Sequence, residues 1–291
     1  MSTVGFVGLG AMGSRIAGRL LDQGNEVYGT NRTKSRAQPL IERGLQWRDT
    51  PREVAVVADV VFSMVTDDQA LDAVNSGPDG ILAGLAVGKV YVDMSTVSPR
   101  ASREVAEQVR SVGAGMLDAP VSGSIPQVES GTLAIMVGGE EQAFEKVEPL
   151  LRQLGQTVTH IGDHGQGLVL KLAINISLAV QTLAFSEGLL LAQRDGVDPQ
   201  LAAKVMSTSP IGSPMLKSRI PLLLDLPEQA WFDVTMMQKD VRLAREAADE
   251  LAIPLPSAAV ADEMLTRARE LGYEHRDIAA LREVLANTPP E

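Results

Sequence analysis

A lysine and an asparagine four residues apart, Lys171 and Asn175, are the side chains of this sequence with the clearest chemical potential. Both lie in the apolar run Gly165–Gly196, which contains no proline and no other lysine. Residues at i and i+4 share one face of an α-helix, so the two side chains are predicted to lie side by side. An ammonium among apolar side chains must lose its charge or find partners, which makes Lys171 a candidate acid–base group.

Two other interpretations of this run remain open on its residues alone. Its length is that of a membrane span, but polar side chains interrupt it and disfavour that interpretation, among them Lys171, Asn175, Gln181, Thr182, Ser186 and Glu187. It could also be a buried core helix in which Lys171 extends its amine to water. A helix of roughly thirty residues would be about 45 Å long, enough to cross a whole domain.

A glycine pattern near the N-terminus predicts a dinucleotide-binding turn. Thr3–Val7 is typical of a buried strand, and a helical pattern runs from Met12 to about Gln23. Between them lies the pattern G-x-G-x-x-G, formed by Gly8, Leu9, Gly10, Ala11, Met12 and Gly13. A strand, this turn and a helix N-terminus that offers N–H groups to phosphate make a specific signal together. The alternative is a glycine-rich turn without a ligand.

The residues after the next predicted strand, Glu26–Thr30, bear on the form of the cofactor. An NAD site usually places a carboxylate there to hold the ribose 2′-OH. This chain instead has Asn31, Arg32, Thr33 and Lys34. An arginine can bind a 2′-phosphate through two N–H groups, and its neighbours can add donors and charge. We therefore expect NADP(H) rather than NAD(H), unless the two basic residues are merely solvated at the start of a helix.

Strands and helices continue to alternate, which predicts a parallel, doubly wound sheet. The next strands are predicted at Ala58–Val65 and Lys89–Asp93. Ligands of such sheets bind beyond the carboxyl ends of the strands. The residues expected to line this cofactor crevice are Met64, Val65, Thr66, Met94, Ser95 and Thr96.

A loop of small residues is the candidate anion site of this half. Strands are predicted within Met116–Ser124 and at Gly131–Gly139, separated by a polar loop. Ser122, Gly123 and Ser124 could present N–H and hydroxyl donors to a carboxylate, or could form an ordinary turn.

No metal site is predicted. His160, Asp163 and His164 straddle the end of a predicted strand and a glycine turn, so the two histidines do not share a helical face. The chain has no cysteine, which excludes disulfides, a thiol nucleophile and cysteine metal ligands.

The bulk composition limits the partners. The chain has 291 residues, 45% of them hydrophobic and 22% charged, as in a globular protein of two domains. A formal charge of −11 argues against nucleic acid or an anionic membrane as a partner. The N-terminal residues lack the basic region of a secretory signal, so a cytoplasmic location is expected.

Beyond Gly167 the alternation stops and helical periodicity takes over. Helices are predicted at Asp198–Met206, Val234–Ala252, Pro256–Leu271 and His275–Ala286, with an irregular, proline-rich stretch at Pro210–Pro227. The expected fold class is α/β, with a doubly wound Rossmann domain at 1–164 and an all-α domain at 165–291, joined by the long interdomain helix. A helix this apolar needs cover on every side, so a homodimer or higher homo-oligomer is expected.

Four motifs in order carry a family resemblance: GFVGLGAMG at 5–13; DMSTVSP at 93–99 with DAPVSGS at 118–124 and GTLAIMVGG at 131–139; GQGLVLKLAIN at 165–175; and the run from Phe232 through Met237, Lys239-Asp240 and Leu243-Ala244. Together they resemble the β-hydroxyacid dehydrogenase family, whose best-known member is 3-hydroxyisobutyrate dehydrogenase. The resemblance covers essentially the whole chain.

The resemblance implies an NAD(P) cofactor and hydride transfer at the cleft between a Rossmann and a helical domain. Lys171 matches the catalytic lysine of the family, and Asn175 matches an asparagine one turn on. The loop 122–124 matches the loop that holds the substrate carboxylate. Thr96 matches a cofactor contact, and Lys239 matches a lysine that closes the site from the second domain.

This chain departs from the family pattern at two places near the substrate. The family usually has K-x-x-N-N, but Ile174 replaces the first asparagine here. The family also tends to have glycine and alanine at the positions of Gln127 and Val128. The activity class is therefore better supported than the substrate.

The expected function is transfer of a hydride between NADP(H) and a small β-hydroxyacid or semialdehyde-type carbonyl acid, with Lys171 as general acid or base. One alternative is an NADPH-dependent imine reductase, although the imine reductases that it resembles tend to carry Asp or Tyr at the position of Lys171. An alternative of another class is a non-catalytic NADP-binding sensor or scaffold.

Overall fold

The structure is a computed structural model that describes residues 3–288, so residues 1, 2 and 289–291 of the expected domain ranges lie outside the described residues. The strands are β1 (Thr3–Val7), β2 (Glu26–Thr30), β3 (Gln46–Trp47), β4 (Val60–Ser63), β5 (Val90–Asp93), β6 (Gly115–Asp118), β7 (Val121–Ser122), β8 (Leu133–Gly139) and β9 (Gly155–Gly162). The α-helices are α1 (Ala11–Asp22), α2 (Gln38–Glu42), α3 (Pro51–Val57), α4 (Asp68–Asn75), α5 (Pro99–Ser111), α6 (Ile125–Ser130), α7 (Glu141–Leu154), α8 (Gln166–Arg194), α9 (Pro199–Thr208), α10 (Pro214–Leu224), α11 (Val234–Glu250), α12 (Pro256–Glu270) and α13 (Leu281–Ala286).

All described strands belong to one sheet in the order β3-β2-β1-β4-β5-β6-β8-β7, with β9 paired to β8. The strands from β3 to β6 pair in parallel. This is the strand order of a dinucleotide-binding fold, and it confirms the predicted class of the first half.

The sheet has an apolar layer on each face because successive side chains of a strand point to opposite sides. Phe62 belongs to one buried cluster and stacks on Phe6, with ring centroids 6.1 Å apart. Its neighbour Val61 belongs to a second cluster with Tyr91. Helices cover both faces, which explains why β4 and β5 are continuous buried runs.

Two details of the first half differ from the sequence-based expectation. Strand β8 runs antiparallel to β6 and β7, so the sheet is mixed at this edge. The polar loop expected between two strands is in fact the short helix α6. Ser124 and Gln127 form a capping box at its start, and Gly131 ends it in the left-handed conformation at φ +71°. The capping box and the C-terminal glycine favour a helix here in spite of the polar composition of the segment.

The second half is helical, as predicted. Its core includes Val234, Met237 and Val241 on α11 and Leu265 on α12, all fully buried. Together with the parallel sheet of the first half, this arrangement confirms the expected combination of an α/β domain with an all-α domain.

The irregular stretch expected at Pro210–Pro227 contains the helix α10, so that prediction was wrong. Ser213 caps its N-terminus by accepting a hydrogen bond from the Leu216 amide at 3.2 Å. Pro221 lies inside the helix and removes only one backbone donor. Burial of two leucines directly after it stabilises the helix: Leu222 and Leu223.

Helix α8 passes from one compact unit to the other, since the first unit ends at Lys171 and the second begins at Leu172. Leu168 packs in a cluster of the first unit, and Leu172 packs with Leu243 and Ala244 in the second. Among the described residues, α8 is the one helix long and apolar enough to cross a membrane, with a mean hydropathy of 1.8. A core helix of a globular protein meets the same criterion of length and composition.

Candidate active site

The glycine turn at 8–13 connects β1 to α1 and leaves its backbone open. Gly8 has φ +94°, a conformation that favours glycine, and a Cβ there would overlap the carbonyl oxygen of Met64. A Cβ on Gly13 would overlap the carbonyl oxygen of Gly8, whereas nothing lies within 4 Å of the Cβ position of Gly10. Among the described residues no side chain caps α1, and its first turn carries no acidic residue. These features fit a pyrophosphate bound at the helix N-terminus.

Asn31 joins this turn to the end of β2. Its Oδ1 accepts a hydrogen bond from the Leu9 amide at 3.1 Å, and its Nδ2 donates to the Thr33 carbonyl at 3.0 Å. Arg32 and Thr33 are exposed. The guanidinium of Arg32 is therefore accessible to an anion beside the end of β2, where a carboxylate would stand in an NAD site.

The ends of β4 and β5 are tied to each other. Met64, Val65 and Thr66 follow β4, and Ser95 and Thr96 lie just beyond β5. The Val65 amide donates to Ser95 Oγ at 2.8 Å. Because β4 and β5 are adjacent and parallel, the loops that follow them lie at the carboxyl ends of the strands, as does the glycine turn that follows β1.

A buried carboxylate, that of Asp93 at the end of β5, accepts hydrogen bonds from two residues at the carboxyl ends of these strands. Ser63 Oγ and Ser95 Oγ each donate to its Oδ1 at 2.6 Å. Since Ser63 uses its proton here, the Tyr91 hydroxyl at 2.7 Å donates to Ser63, and Asn75 Nδ2 donates to Tyr91 at 3.0 Å. Burial raises the pKa of Asp93 to about 6, although the two hydroxyls oppose the shift.

The small-residue loop leads from β7 into α6. Ser122 ends β7, Gly123 has φ +129°, and Ser124 is the N-cap of α6. The amide and the hydroxyl of Ser124 both donate to Gln127 Oε1, each at 2.9 Å. The loop therefore directs two donors at one oxygen atom.

A second buried carboxylate, Asp118, anchors the start of α8. Its Oδ1 accepts from the Gly165 amide at 2.7 Å and its Oδ2 accepts from the Leu168 amide at 3.0 Å. Glycines make room for it, since a Cβ on Gly138 would lie 2.5 Å from Oδ1 and one on Gly167 would lie 2.9 Å from Oδ2. Burial raises the pKa of Asp118, and the two amides oppose this shift.

Lys171 is half-buried and lies on α8 one turn before the buried Asn175. In the second unit, Asn175 Nδ2 donates to Asp240 Oδ2. The ammonium of Lys239 lies 2.9 Å from the other oxygen of Asp240, which is 2% exposed. Asp240 thus brings together two of the residues expected at the site.

Sequence reasoning assigned no role to Asp93, Asp118 or Asp240, although all three stand inside the motifs that carry the resemblance. A signal was present for the first two, because each is a carboxylate at the carboxyl end of an apolar strand. Their burial and their partners depend on neighbouring strands and on α8, which the sequence did not place.

The two histidines near β9 are hydrogen-bonded to backbone. His160 Nε2 lies 2.7 Å from the Gly139 carbonyl oxygen, and His164 Nε2 lies 2.8 Å from that of Met116. A carbonyl oxygen only accepts, so both Nε2 atoms carry a proton. Within residues 3–288 no group of three or more His, Cys, Asp or Glu side chains could hold a metal ion.

Two known domain families together match most of the chain. Residues 3–162 match the NAD binding domain of 6-phosphogluconate dehydrogenase. Residues 165–285 match the family described as NAD-binding of NADP-dependent 3-hydroxyisobutyrate dehydrogenase.

Relatives and solved structures resemble the chain over almost its full length. Glyoxylate/succinic semialdehyde reductase 2, chloroplastic, of Arabidopsis thaliana is 35% identical over 97% of this chain and 79% of its own length. The crystal structure of 3-hydroxyisobutyrate dehydrogenase (ygbJ) from Salmonella typhimurium has a TM-score of 0.88 at 28% identity, covering 98% of this chain and 100% of the other. Psf3 in complex with NADP+ and 2-OPP has a TM-score of 0.89 at 26% identity, covering 97% and 99%.

Two further similarities bear on the alternative functions. An imine reductase from a Pseudomonas species has a TM-score of 0.65 at 24% identity, covering 98% of this chain and 99% of the other, which shows a shared fold alone. Cytokine-like nuclear factor N-PAC of Xenopus tropicalis is 33% identical over 96% of this chain, which spans 52% of that protein.

Proposed function

The chain belongs to the β-hydroxyacid dehydrogenase family of NAD(P)-dependent oxidoreductases, and we propose that it reduces a small carbonyl acid with NADPH, or catalyses the reverse oxidation. Glyoxylate and short semialdehyde acids are the substrates of first choice. One observation carries the proposal: Asp118 anchors the start of α8, which bears Lys171, and stands four residues before the donor loop at 122–124.

The preference for NADP(H) is supported by the end of β2. Arg32 is exposed there and Asn31 is held by the glycine turn, while the residues from 31 to 34 include no carboxylate. An arginine can hold a 2′-phosphate through two charge-assisted hydrogen bonds. The 2′-OH of NAD has no carboxylate to bind at these positions, so NADH should be the poorer cofactor.

In the proposed mechanism, the backbone and hydroxyl donors of 122–124 hold the substrate carboxylate and so orient the carbonyl group. When bound, NADPH supplies the hydride. The ammonium of Lys171 donates a proton to the carbonyl oxygen as negative charge develops on it. Asn175 is held by Asp240 and aligns Lys171 from one turn further along α8. Lys239 is paired with the same carboxylate.

Purified protein tested with NADPH and with NADH should show which substrates and which cofactor it uses. The panel contains glyoxylate, succinic semialdehyde, tartronate semialdehyde, methylmalonate semialdehyde and a cyclic imine. Faster oxidation of NADPH than of NADH with at least one of the acids is expected. Turnover of the imine alone would favour the imine reductase, and a flat trace with all five would favour a non-catalytic NADP-binding protein.

Lys171→Ala should lower kcat by at least ~10²-fold on the best acid, because the proton donor is lost. NADPH binding, measured by fluorescence titration, should stay nearly unchanged. Lys204→Ala removes an exposed lysine from α9 and is the matched control. A Lys171→Ala protein of near-normal rate would exclude Lys171 as the proton donor.

We further propose that the protein is a homodimer, or a higher homo-oligomer, through α8. Only 39% of an apolar 18-residue stretch of this helix is buried within the described part of the chain. We propose that a second copy of the helical domain covers this exposed apolar face, on a chain of net charge −11. A charged partner would not bury the apolar side chains of the face.

A further inference from the structure

The donor loop already holds an acceptor that belongs to the protein itself. Both the amide nitrogen and the hydroxyl of Ser124 lie 2.9 Å from Gln127 Oε1. The stem of Gln127 packs over the preceding glycine, since a Cβ on Gly123 would lie 2.9 Å from the Gln127 Cβ. The side chain thus packs over Gly123 and occupies the two donors of Ser124.

The acceptor in this arrangement has the chemistry of a carboxyl group. A carboxamide oxygen and a carboxylate oxygen are both sp² acceptors with two lone pairs, so donors placed for one also suit the other. In a capping box such as this one, the N3 side chain accepts a hydrogen bond from the N-cap amide only, while the N-cap hydroxyl accepts one from the N3 amide. Here the hydroxyl converges on the same oxygen, as it would in binding one oxygen of a carboxylate ligand.

We propose that Gln127 is a specificity-determining residue whose carboxamide oxygen occupies the position of a substrate carboxylate oxygen until a carboxylate displaces it. This inference rests on the proposed function, in which the loop 122–124 binds the substrate carboxylate. It assigns to Gln127 the role of an internal competitor for that site.

Competition of this kind favours anions over neutral compounds. Hydrogen bonds from N–H and O–H groups to a charged acceptor are roughly twice as strong as those to a neutral one. A carboxylate therefore displaces the carboxamide, whereas a neutral aldehyde without a carboxylate gains nothing by doing so. Because the competitor must first leave, the apparent affinity for the acid falls by the fraction of loops that are free.

The test compares Gln127→Ala, which frees the donors, with Gln127→Glu, which replaces the competitor by a charged one. NADPH-saturated protein is titrated calorimetrically with glycolate, which carries a carboxylate and cannot accept a hydride. The Kd for glycolate should fall about threefold to tenfold in Gln127→Ala, because two neutral hydrogen bonds no longer compete. It should rise by about tenfold or more in Gln127→Glu at pH 7.

Steady-state kinetics give a second measurement, in which an acid is compared with an uncharged aldehyde. In Gln127→Ala the KM for glyoxylate should fall while that for glycolaldehyde, which lacks the carboxylate, stays the same. Gln108→Ala, an exposed glutamine on α5, should change neither constant. If alanine disrupts α6, Gln127→Met keeps the length of the side chain without an amide oxygen and should give the same fall.

Opposite results would overturn the inference. Weaker glycolate binding in Gln127→Ala would mean that the glutamine assists the substrate, and equal shifts for glyoxylate and glycolaldehyde would mean that it acts on the fold. No detectable glycolate binding to either form would also refute it. Since the titration needs no turnover, a wild type that binds glycolate as expected but reduces no acid would refute the proposed function alone.

Discussion

Three buried carboxylates bind residues in or near the motifs of the candidate site. Asp93 lies beneath the cofactor edge of the sheet, Asp118 at the start of α8, and Asp240 between Asn175 and Lys239. A carboxylate that is taken out of water must be compensated by hydrogen bonds or charge, so each one fixes the groups that surround it. The candidate site is therefore positioned by residues that are not themselves expected to touch the substrate.

Asp93 should make the stability of the fold depend on pH. Its folded pKa of about 6 lies above the unfolded value of about 3.9, so the folded protein binds the proton more tightly. Its contribution to stability is complete below the unfolded pKa and is lost as pH rises through 6. Relative to Asp93→Asn, the wild type should gain about 1.4 kcal/mol in free energy of unfolding between pH 8 and pH 5.

Urea unfolding of both proteins at the two pH values measures this difference. Asp79→Asn, which changes an exposed carboxylate after α4, is the control and should follow the wild type at both values. A constant difference between the wild type and Asp93→Asn across this range would show that Asp93 does not bind a proton there.

At the level of elements, the first turn of α8 is defined by a strand far from it in sequence. Asp118 at the end of β6 accepts from the amides of Gly165 and Leu168, and Lys171 follows within one turn of Leu168. A carboxylate at a helix N-terminus also interacts favourably with the helix dipole. The position of Lys171 therefore depends on β6 as well as on α8.

Asp118→Asn should weaken catalysis more than cofactor binding. The amide nitrogen of asparagine would face a backbone donor, so one hydrogen bond is lost and a buried donor is left unmatched, at a cost of about 1–3 kcal/mol. We expect kcat to fall at least ~10-fold, since a small displacement of a catalytic group is costly. NADPH affinity should change less than about twofold, because the glycine turn lies on another strand.

Asp163→Asn, an exposed neighbour in the turn before α8, is the matched control and should leave kcat unchanged. Rescue of kcat toward the wild-type value by Asp118→Glu would show that a carboxylate is required there. Equal losses of kcat and NADPH affinity in Asp118→Asn would point to general unfolding instead.

At the level of the whole molecule, the two compact units share α8, and the exposed part of this helix is the surface assigned to self-association. Its exposed residues are small or apolar at several positions, including Val169, Leu170, Ala173, Ala184 and Leu191. Exposed apolar surface on a helix of this length favours burial against another chain.

Light scattering after size exclusion should give at least twice the 31.0 kDa mass of one chain. Ala184→Glu places a charge on the exposed face of α8 and should shift the protein toward the monomer, since a buried unpaired charge is costly. Gln200→Glu on α9 adds the same charge at another exposed position and should leave the mass unchanged. A wild-type mass of one chain would refute self-association.

The sequence by itself was sufficient to predict the class of each half. Alternation of strands and helices, the pattern at 8–13 and the apolar run of α8 are local signals that depend on residues close in the chain. They predicted the parallel sheet, the cofactor edge and the helical second half. They also placed Lys171 and Asn175 one turn apart, because helix geometry follows from spacing alone.

Only the tertiary structure decided which groups meet. Three contacts join residues that are 20 to 65 positions apart in the chain. They are the antiparallel pairing of β8 with β6, the hydrogen bond from the Gly165 amide to Asp118, and the hydrogen bond from Asn175 to Asp240. Helix α10 formed despite Pro221 because burial of its leucines outweighs one lost donor. Such contacts depend on burial and on the order of strands in the sheet, and neither is encoded in the local spacing of residues.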